Sequence, residues 1–142
     1  MRSTHRAHQL IREVLSGGEV VIDATAGNGH DTLFLAELIG ISGLVYAFDV
    51  QDQAIGNTRQ RLERAGLADR VIINKTGHQE MDRIISREHH GAVSVIMFNL
   101  GYLPGSDHSI TTLRGTTVAA ITQGLQFLAP GGIVTVVCYS GH

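Results

Sequence analysis

The feature that most constrains this chain is the run Val20 to Thr32, V-V-I-D-A-T-A-G-N-G-H-D-T, in which an apolar β-branched stretch stops at a carboxylate and passes through a glycine loop into a helical pattern. Val20, Val21 and Ile22 suit a strand buried on both faces, with Asp23 at its C-terminal tip. Gly27 and Gly29 permit positive φ and let a ligand come close to the backbone, and Asp31 or Thr32 is placed to cap the helix that begins with Leu33-Phe34-Leu35-Ala36. In an open α/β sheet this edge is where ligands bind. The same glycines would also serve an ordinary tight turn. A second carboxylate separates the two readings: Asp49 closes the next apolar run, Leu44 to Phe48, about 20 residues beyond the glycines, where it can accept from both hydroxyls of a ribose. Together these features ask for a nucleoside-bearing cofactor.

A dinucleotide site needs a third glycine for close packing of helix on strand, and here that position is Thr32. Asp23 also suits an ammonium or sulfonium better than a pyrophosphate, which it would repel. The run Asp23-Ala24-Thr25-Ala26-Gly27-Asn28-Gly29 resembles the D/E-x-G-x-G-x-G motif of class I S-adenosylmethionine-dependent methyltransferases, departing from it at Thr25.

A chain of 142 residues is one domain, large enough for a real core but short for a complete seven-stranded sheet. The net charge of −2 gives no bulk attraction to nucleic acid, so an RNA substrate requires a local basic patch. Arg2, Arg6 and Arg12 lie near the start, and Arg59, Arg61 and Arg64 share one predicted helix; a solvated face is the plainer reading of most of them. The single cysteine, Cys138, excludes an internal disulfide, and its place in an apolar strand suits a small core residue better than a nucleophile. With no signal-like n-region and no run of 18 apolar residues, the expectation is a cytoplasmic protein with no membrane association.

Taken in order, Ser3 or Thr4 caps a first helix with Ala7, Leu10, Ile11, Val14 and Leu15 at helical spacing, ending at Gly17-Gly18 and packing beside the first strand. His5 and His8 lie three apart on it without a third ligand of metal-binding type; contact with a substrate phosphate and a plain exposed face are the other readings. Helices are expected from about Asp31 to Ile39, from Asp52 to Ala65 with Gly66 as its stop, from Gln79 to Ser86, and from Thr111 to Leu128. Strands are expected at Val20–Ile22, Leu44–Asp49, Val71–Asn74, Val93–Phe98 and Ile133–Tyr139, the last opened by Pro130-Gly131-Gly132. His78, at the tip of the third strand, either flanks the following helix or helps close an adenine pocket. The alternation gives an α/β fold, a doubly wound, mostly parallel sheet with right-handed crossovers.

The fourth strand adjoins the first in such sheets, and its tip, Asn99-Leu100-Gly101-Tyr102, stands where amino-directed methyltransferases carry an N/D-P-P-Y/F motif. An amine becomes a good nucleophile when its lone pair is aimed by acceptors for its N–H bonds, a role open to the Asn99 amide oxygen and a backbone carbonyl, while the Tyr102 ring is placed to steady the cationic transition state or to stack on a base. Leu100-Gly101 replaces the two prolines, and an amide that only caps a turn is the other reading of Asn99. The set D-A-T-A-G-N-G-H-D-T at 23–32, N-L-G-Y-L-P-G at 99–105, S-I-T-T at 109–112 and Y-S-G-H at 139–142 resembles a small bacterial family labelled "putative rRNA methylases". That resemblance implies a Rossmann-like class I methyltransferase fold, S-adenosyl-L-methionine as cofactor, and methylation of the aminomethyl group of wobble uridine in tRNA to 5-methylaminomethyl-(2-thio)uridine. It departs from the family at Ser106, where glycine is common, and His108, where lysine is common.

Members of that family usually continue beyond the Y-x-G-H segment into another helix and two further strands. The expectation is therefore a single methyltransferase domain over 1–142, truncated or naturally short, lacking the last strands. The fifth strand is then an uncovered edge, which a homodimer would cover. The cofactor-binding set comprises Asp23, Thr25, Gly27, Asn28, Gly29, Asp31, Thr32, Asp49, Gln51 and His78. Asn99, Tyr102 and Asp107 form the catalytic set, Asp107 as an acceptor for the amine proton with His108 as its alternative; no metal is called for. Three competing readings remain: the same chemistry on an rRNA or small-molecule amine, a nicotinamide-dependent oxidoreductase, and a nucleotide-binding module without turnover.

Overall fold

The computed structural model describes residues 2–100 and 118–138. Helix α1 (Arg2–Val14) leads to strand β1 (Val20–Asp23), followed by α2 (His30–Ile39), β2 (Leu44–Asp49), α3 (Asp52–Ala65), β3 (Val71–Lys75), the short α4 (Met81–Ile84), β4 (Val93–Leu100), a helical segment at 118–125 and β5 (Leu128–Cys138). The strands form one sheet in the order β3-β2-β1-β4-β5. Every neighbouring pair is parallel. β1 and β4 meet at the centre, where the winding reverses, so the tips of these two strands flank the crevice in which ligands bind in doubly wound sheets.

Period-two alternation builds two cores. Val21, Val45, Val95 and Met97 point to one face, where Ile11 of α1, Leu35 and Ile39 of α2 and Leu62 of α3 cover them. Ile22, Tyr46, Phe48, Ile96 and Phe98 point to the other, under Met81, Ile85, Ala120 and Phe127. Val93 belongs to this second core although Val95 belongs to the first, because the register shifts between Val93 and Val95 on both flanks of β4.

The helix α3 spans the expected residues, and Gly66 ends it at φ 73, donating its N–H to the Glu63 and Leu62 carbonyls. Other elements depart from expectation. Helix α1 begins at Arg2, so neither Ser3 nor Thr4 precedes it, and it packs on β5 and β4 rather than beside β1. α2 and α3 already occupy this face over β1, β2 and β3, which leaves β4 and β5 for α1. The expected helix from Gln79 to Ser86 is broken: a 3₁₀ turn at His78–Glu80 runs into α4, and the Ser86 N–H goes to the Tyr46 hydroxyl at 3.3 Å instead of continuing the helix. β4 runs two residues further than expected, so Asn99 is a strand residue paired with Val137. β5 starts at Leu128, with Ala129 to Gly132 absorbed in the irregularity between the Leu128 and Ile133 pairings. Segments 101–117 and 139–142, the Cys138 side chain, and the expectations that rest on them lie outside the described residues. Among the described residues no helix is long and apolar enough to cross a membrane.

Candidate active site

After β1 the chain is pinned to both neighbouring strands: the Ala24 N–H donates to the Met97 carbonyl of β4 at 2.8 Å and the Ala26 N–H to the Phe48 carbonyl of β2 at 2.9 Å. The loop that follows is stapled from three directions. Asp23, fully buried, accepts from the Thr25 N–H at 3.1 Å and from the Thr32 hydroxyl at 2.6 Å. Asp49 accepts from the Gly27 N–H at 2.9 Å and from the Gln51 N–H at 3.0 Å. From α3, the Thr58 hydroxyl donates to the Gly27 carbonyl at 3.1 Å, Asn57 donates to the Asn28 side chain at 3.2 Å, and Arg61 Nε donates to the Asn28 carbonyl at 3.0 Å.

Gly29 is required twice over. Its φ is 90, and a Cβ there would lie 2.8 Å from the Thr58 Cα, a backbone atom that cannot move aside. It precedes α2 without any side-chain cap. The expectation that Asp31 or Thr32 caps this helix fails, because both side chains are engaged elsewhere: Thr32 with Asp23, and Asp31 with His8 and Asn99. The buried Thr32 hydroxyl also accounts for the absence of a third glycine, since a hydroxyl at this position is what holds Asp23.

Burial raises the Asp23 carboxyl to about 7, outweighing the hydrogen bonds from Thr32 and Thr25 that pull it down; the nearby Asp31 and Asp49 charges push the same way as burial. With no exposed surface, Asp23 acts through the loop it holds. His78 is shifted below the usual imidazole value, chiefly by burial, with the hydrogen bond to the Ala24 carbonyl opposing. In that bond, 3.1 Å long, Nδ1–H donates, and the ring sits edge-on to Phe98 with centroids 5.3 Å apart.

Two cavities open on either side of Asp49. One, about 250 Å³, is lined by Ala24, Thr25, Phe48, Asp49, Val50, Thr76, Gly77, His78 and Gln79. The other, about 370 Å³, is lined by Gly27, Asn28, Asp49, Gln51, Gln53, Ala54 and Asn57. A carboxylate shared by two cavities, with a glycine loop lining one and a partly apolar slot beside a neutral imidazole forming the other, fits a nucleoside with a polar tail. The structure thus brings Thr25, Gly27, Asn28, Asp49, Gln51 and His78 to one place and sets Asp23, Gly29 and Thr32 behind it as supports.

Asp31 belongs to a second cluster, at the β4 tip. The Asn99 N–H donates to the Thr25 hydroxyl at 2.6 Å, and Asn99 Nδ2 donates to Asp31. Asn99 Oδ1 is buried and has no partner among the described residues. Tyr102 and Asp107 lie outside those residues.

The sequence profile of a family described as "Putative rRNA methylase" matches residues 45–142. The chain belongs to this family. Membership covers the β4 tip and the segments beyond it; the glycine loop precedes the matched range and is tied to it through Asp49 and Asn99. A relative from Arabidopsis thaliana, described as a chloroplastic tRNA (mnm(5)s(2)U34)-methyltransferase, is 38% identical over 99% of this chain, which spans only 54% of that protein. Among solved structures, one described as a "putative rRNA-methylase" from Clostridium thermocellum has a TM-score of 0.86 and 47% identity, covering 99% of this chain and 73% of that one. Another, described as a "putative methyltransferase" from Streptococcus mutans in complex with SAH, has a TM-score of 0.79 and 36% identity over 96% of this chain and 72% of that one. The fold of this rRNA methylase family member is the Rossmann-like class I methyltransferase fold.

Sequence reasoning missed Thr58 and did not assign His8. Thr58 interrupts the apolar stripe of α3, formed with Ala54, Ile55 and Leu62, and is itself fully buried. A hydroxyl on such a stripe was the available signal. His5 is exposed, whereas His8 turns inward to Asp31, so the two do not act together.

Proposed function

We propose that the chain is an S-adenosylmethionine-dependent N-methyltransferase that acts on the aminomethyl group of the wobble uridine (U34) in tRNA, giving 5-methylaminomethyl-(2-thio)uridine, in the cytoplasm. The observation that carries this reading is the Asn99 amide: its nitrogen is held by Asp31, and its oxygen is a buried acceptor with no partner among the described residues. A buried unpaired acceptor costs stability until a donor completes it, and the N–H of a bound amine is such a donor. A relative described as a wobble-uridine methyltransferase supports the choice of acceptor.

Asp49 is assigned the ribose hydroxyls, the Gly27-Asn28-Gly29 loop and Gln51 the amino-acid end, and the slot beside His78 the adenine. When bound, S-adenosylmethionine supplies an electrophilic methyl group. Asn99 Oδ1 is assigned one N–H of the neutral amine, whose lone pair it would aim, and Tyr102 is assigned the stabilisation of the developing positive charge. Asp107 takes the proton that the alkylammonium must lose before it can act as a nucleophile. Asp23, Thr25 and Thr32 hold the loop in register with Asn99.

The test is methyl transfer from labelled S-adenosylmethionine to tRNA bearing 5-aminomethyluridine at position 34, with unmodified tRNA and rRNA alongside. Label in the first substrate alone is the expected result. Label in rRNA alone would transfer the same chemistry to another acceptor, and absence of cofactor binding by calorimetry would refute the methyltransferase reading.

A further inference from the structure

We infer that His8 is a positioning residue for methyl transfer, acting through Asp31 to fix the orientation of the Asn99 amide. This rests on the reading of Asn99 as the group that aims the amine. His8 lies on α1, outside the β1–α2 segment and the β4 tip that carry the rest of the Asn99 cluster. Its Nε2 donates to Asp31 Oδ1 at 2.7 Å, and Asp31 Oδ2 accepts from Asn99 Nδ2, so one carboxylate bridges α1 to the tip of β4.

The imidazole is itself clamped. It stacks on Phe34 at 3.8 Å between centroids and 9° between planes, and the Arg12 guanidinium lies 4.9 Å from the same Phe34 ring. Side-chain exposure is 21% for His8 and 13% for Asp31, so the pair is largely withdrawn from water although α1 is a surface helix.

The physical consequence concerns the two ends of a carboxamide, which are nearly the same shape. Turned so that Oδ1 met Asp31, the Asn99 amide would set two acceptors against each other. An anchored carboxylate therefore forces Nδ2 toward Asp31 and leaves Oδ1 as the free acceptor. Released from His8, the Asp31 side chain can rotate away to water, and both amide orientations become accessible. His8 thereby makes the site an acceptor for an N–H, which is what an amine substrate presents, and selects against acceptors that offer no N–H.

The test compares wild type, His8→Ala and His8→Gln, the last retaining an N–H that can reach Asp31. Three quantities are measured: S-adenosylmethionine affinity by calorimetry, kcat and KM with tRNA bearing 5-aminomethyluridine, and the side-chain amide resonances of Asn99 in ¹⁵N-labelled protein. For His8→Ala the expected result is cofactor affinity and KM within about threefold of wild type, kcat down by about tenfold to a hundredfold, and Asn99 amide protons shifted upfield and exchanging faster with water. His8→Gln should restore most of kcat and the resonance position. Unchanged kcat in His8→Ala, or loss of cofactor affinity and kcat together without rescue by glutamine, would overturn the inference. If wild type methylates no tRNA, the proposed function falls, and the Asn99 resonances still decide this point: a shift in His8→Ala that glutamine reverses supports the coupling, and an unmoved resonance refutes it.

Discussion

Asp23 has no solvent exposure and a carboxyl raised to about 7, so it couples the glycine loop to pH. Below about pH 4 the folded and unfolded chains both hold this proton and the group is neutral to stability. Between there and about 7 the folded chain keeps a proton that the unfolded chain releases, so stability falls as pH rises, and above the folded value the loss is complete. His78 works in the opposite sense: its lowered value means that stability is full above the ordinary imidazole range and lost as pH falls through it. The raw curve mixes the two, and the difference between wild type and Asp23→Asn isolates the first. Asparagine can still accept from the Thr25 N–H and can donate to the Thr32 hydroxyl. Melting temperatures measured from pH 5 to 8 should therefore turn steadily in favour of Asp23→Asn; parallel curves would mean that Asp23 is ionised in the folded chain throughout. At the same scale, Asp49 and Asn99 should separate binding from turnover. Asp49→Ala removes a charged acceptor and should weaken S-adenosylmethionine binding by about 1.5–3 kcal/mol. Asn99→Ala should leave that affinity within a few-fold and lower kcat about a hundredfold; methylation at the wild-type rate by Asn99→Ala would show that the amine is aimed by something else.

At the scale of elements, the loop is shaped from outside, by α3. Thr58 holds the Gly27 carbonyl, and its own backbone forbids any side chain at Gly29. Gly29→Ala should cost about 1–3 kcal/mol from the positive φ and the backbone clash combined, and calorimetry should find no cofactor binding. Thr58→Val, nearly isosteric, should cost about 1 kcal/mol for the missing hydrogen bond and weaken the cofactor several-fold without abolishing it. Equal affinity in Thr58→Val and wild type would show that the loop holds its shape without α3. These elements differ in how openly the sequence declares them. α3 was legible to the residue because its apolar stripe and terminal Gly66 are local signals, and β1, β2 and the glycine turn between Asp23 and α2 were legible for the same reason, although the cap expected at Asp31 or Thr32 was not found. Local signals could not show that α1 would cross to β4 and β5, nor that His8 would meet Asp31, because topology sets those partners, the second across 23 residues and the first across a far longer stretch of chain. The break in the expected 79–86 helix was hidden for a related cause: the Tyr46 hydroxyl that captures the Ser86 N–H lies 40 residues away.

Across the whole molecule, a net charge of −2 means that a polyanion is drawn only to a local basic rim. The described residues place such a rim on both flanks of the α2 N-terminus. On one side Arg12 is exposed and lies over Phe34; on the other, Arg61 and Arg64 border a depression of about 350 Å³ with Asn28, Asn57 and Gln60. Arg12 connects to the β4 tip through Phe34, His8 and Asp31, and Arg61 connects to the glycine loop through Asn28, so an RNA strand delivering a base to Asn99 would run along this edge. Arginine suits this role because its planar fork meets phosphate oxygens in pairs. Since Arg61 also holds the Asn28 carbonyl, Arg64 is the cleaner probe. Arg64→Glu should raise KM for tRNA and leave kcat at saturating tRNA and S-adenosylmethionine affinity unchanged. The logarithmic dependence of tRNA affinity on salt should also flatten by about 0.7–0.9 for each phosphate that the variant no longer neutralises. A KM and salt slope equal to wild type would move the RNA path off α3, leaving the Arg12 flank to carry it, and Arg12→Glu would then show the whole effect.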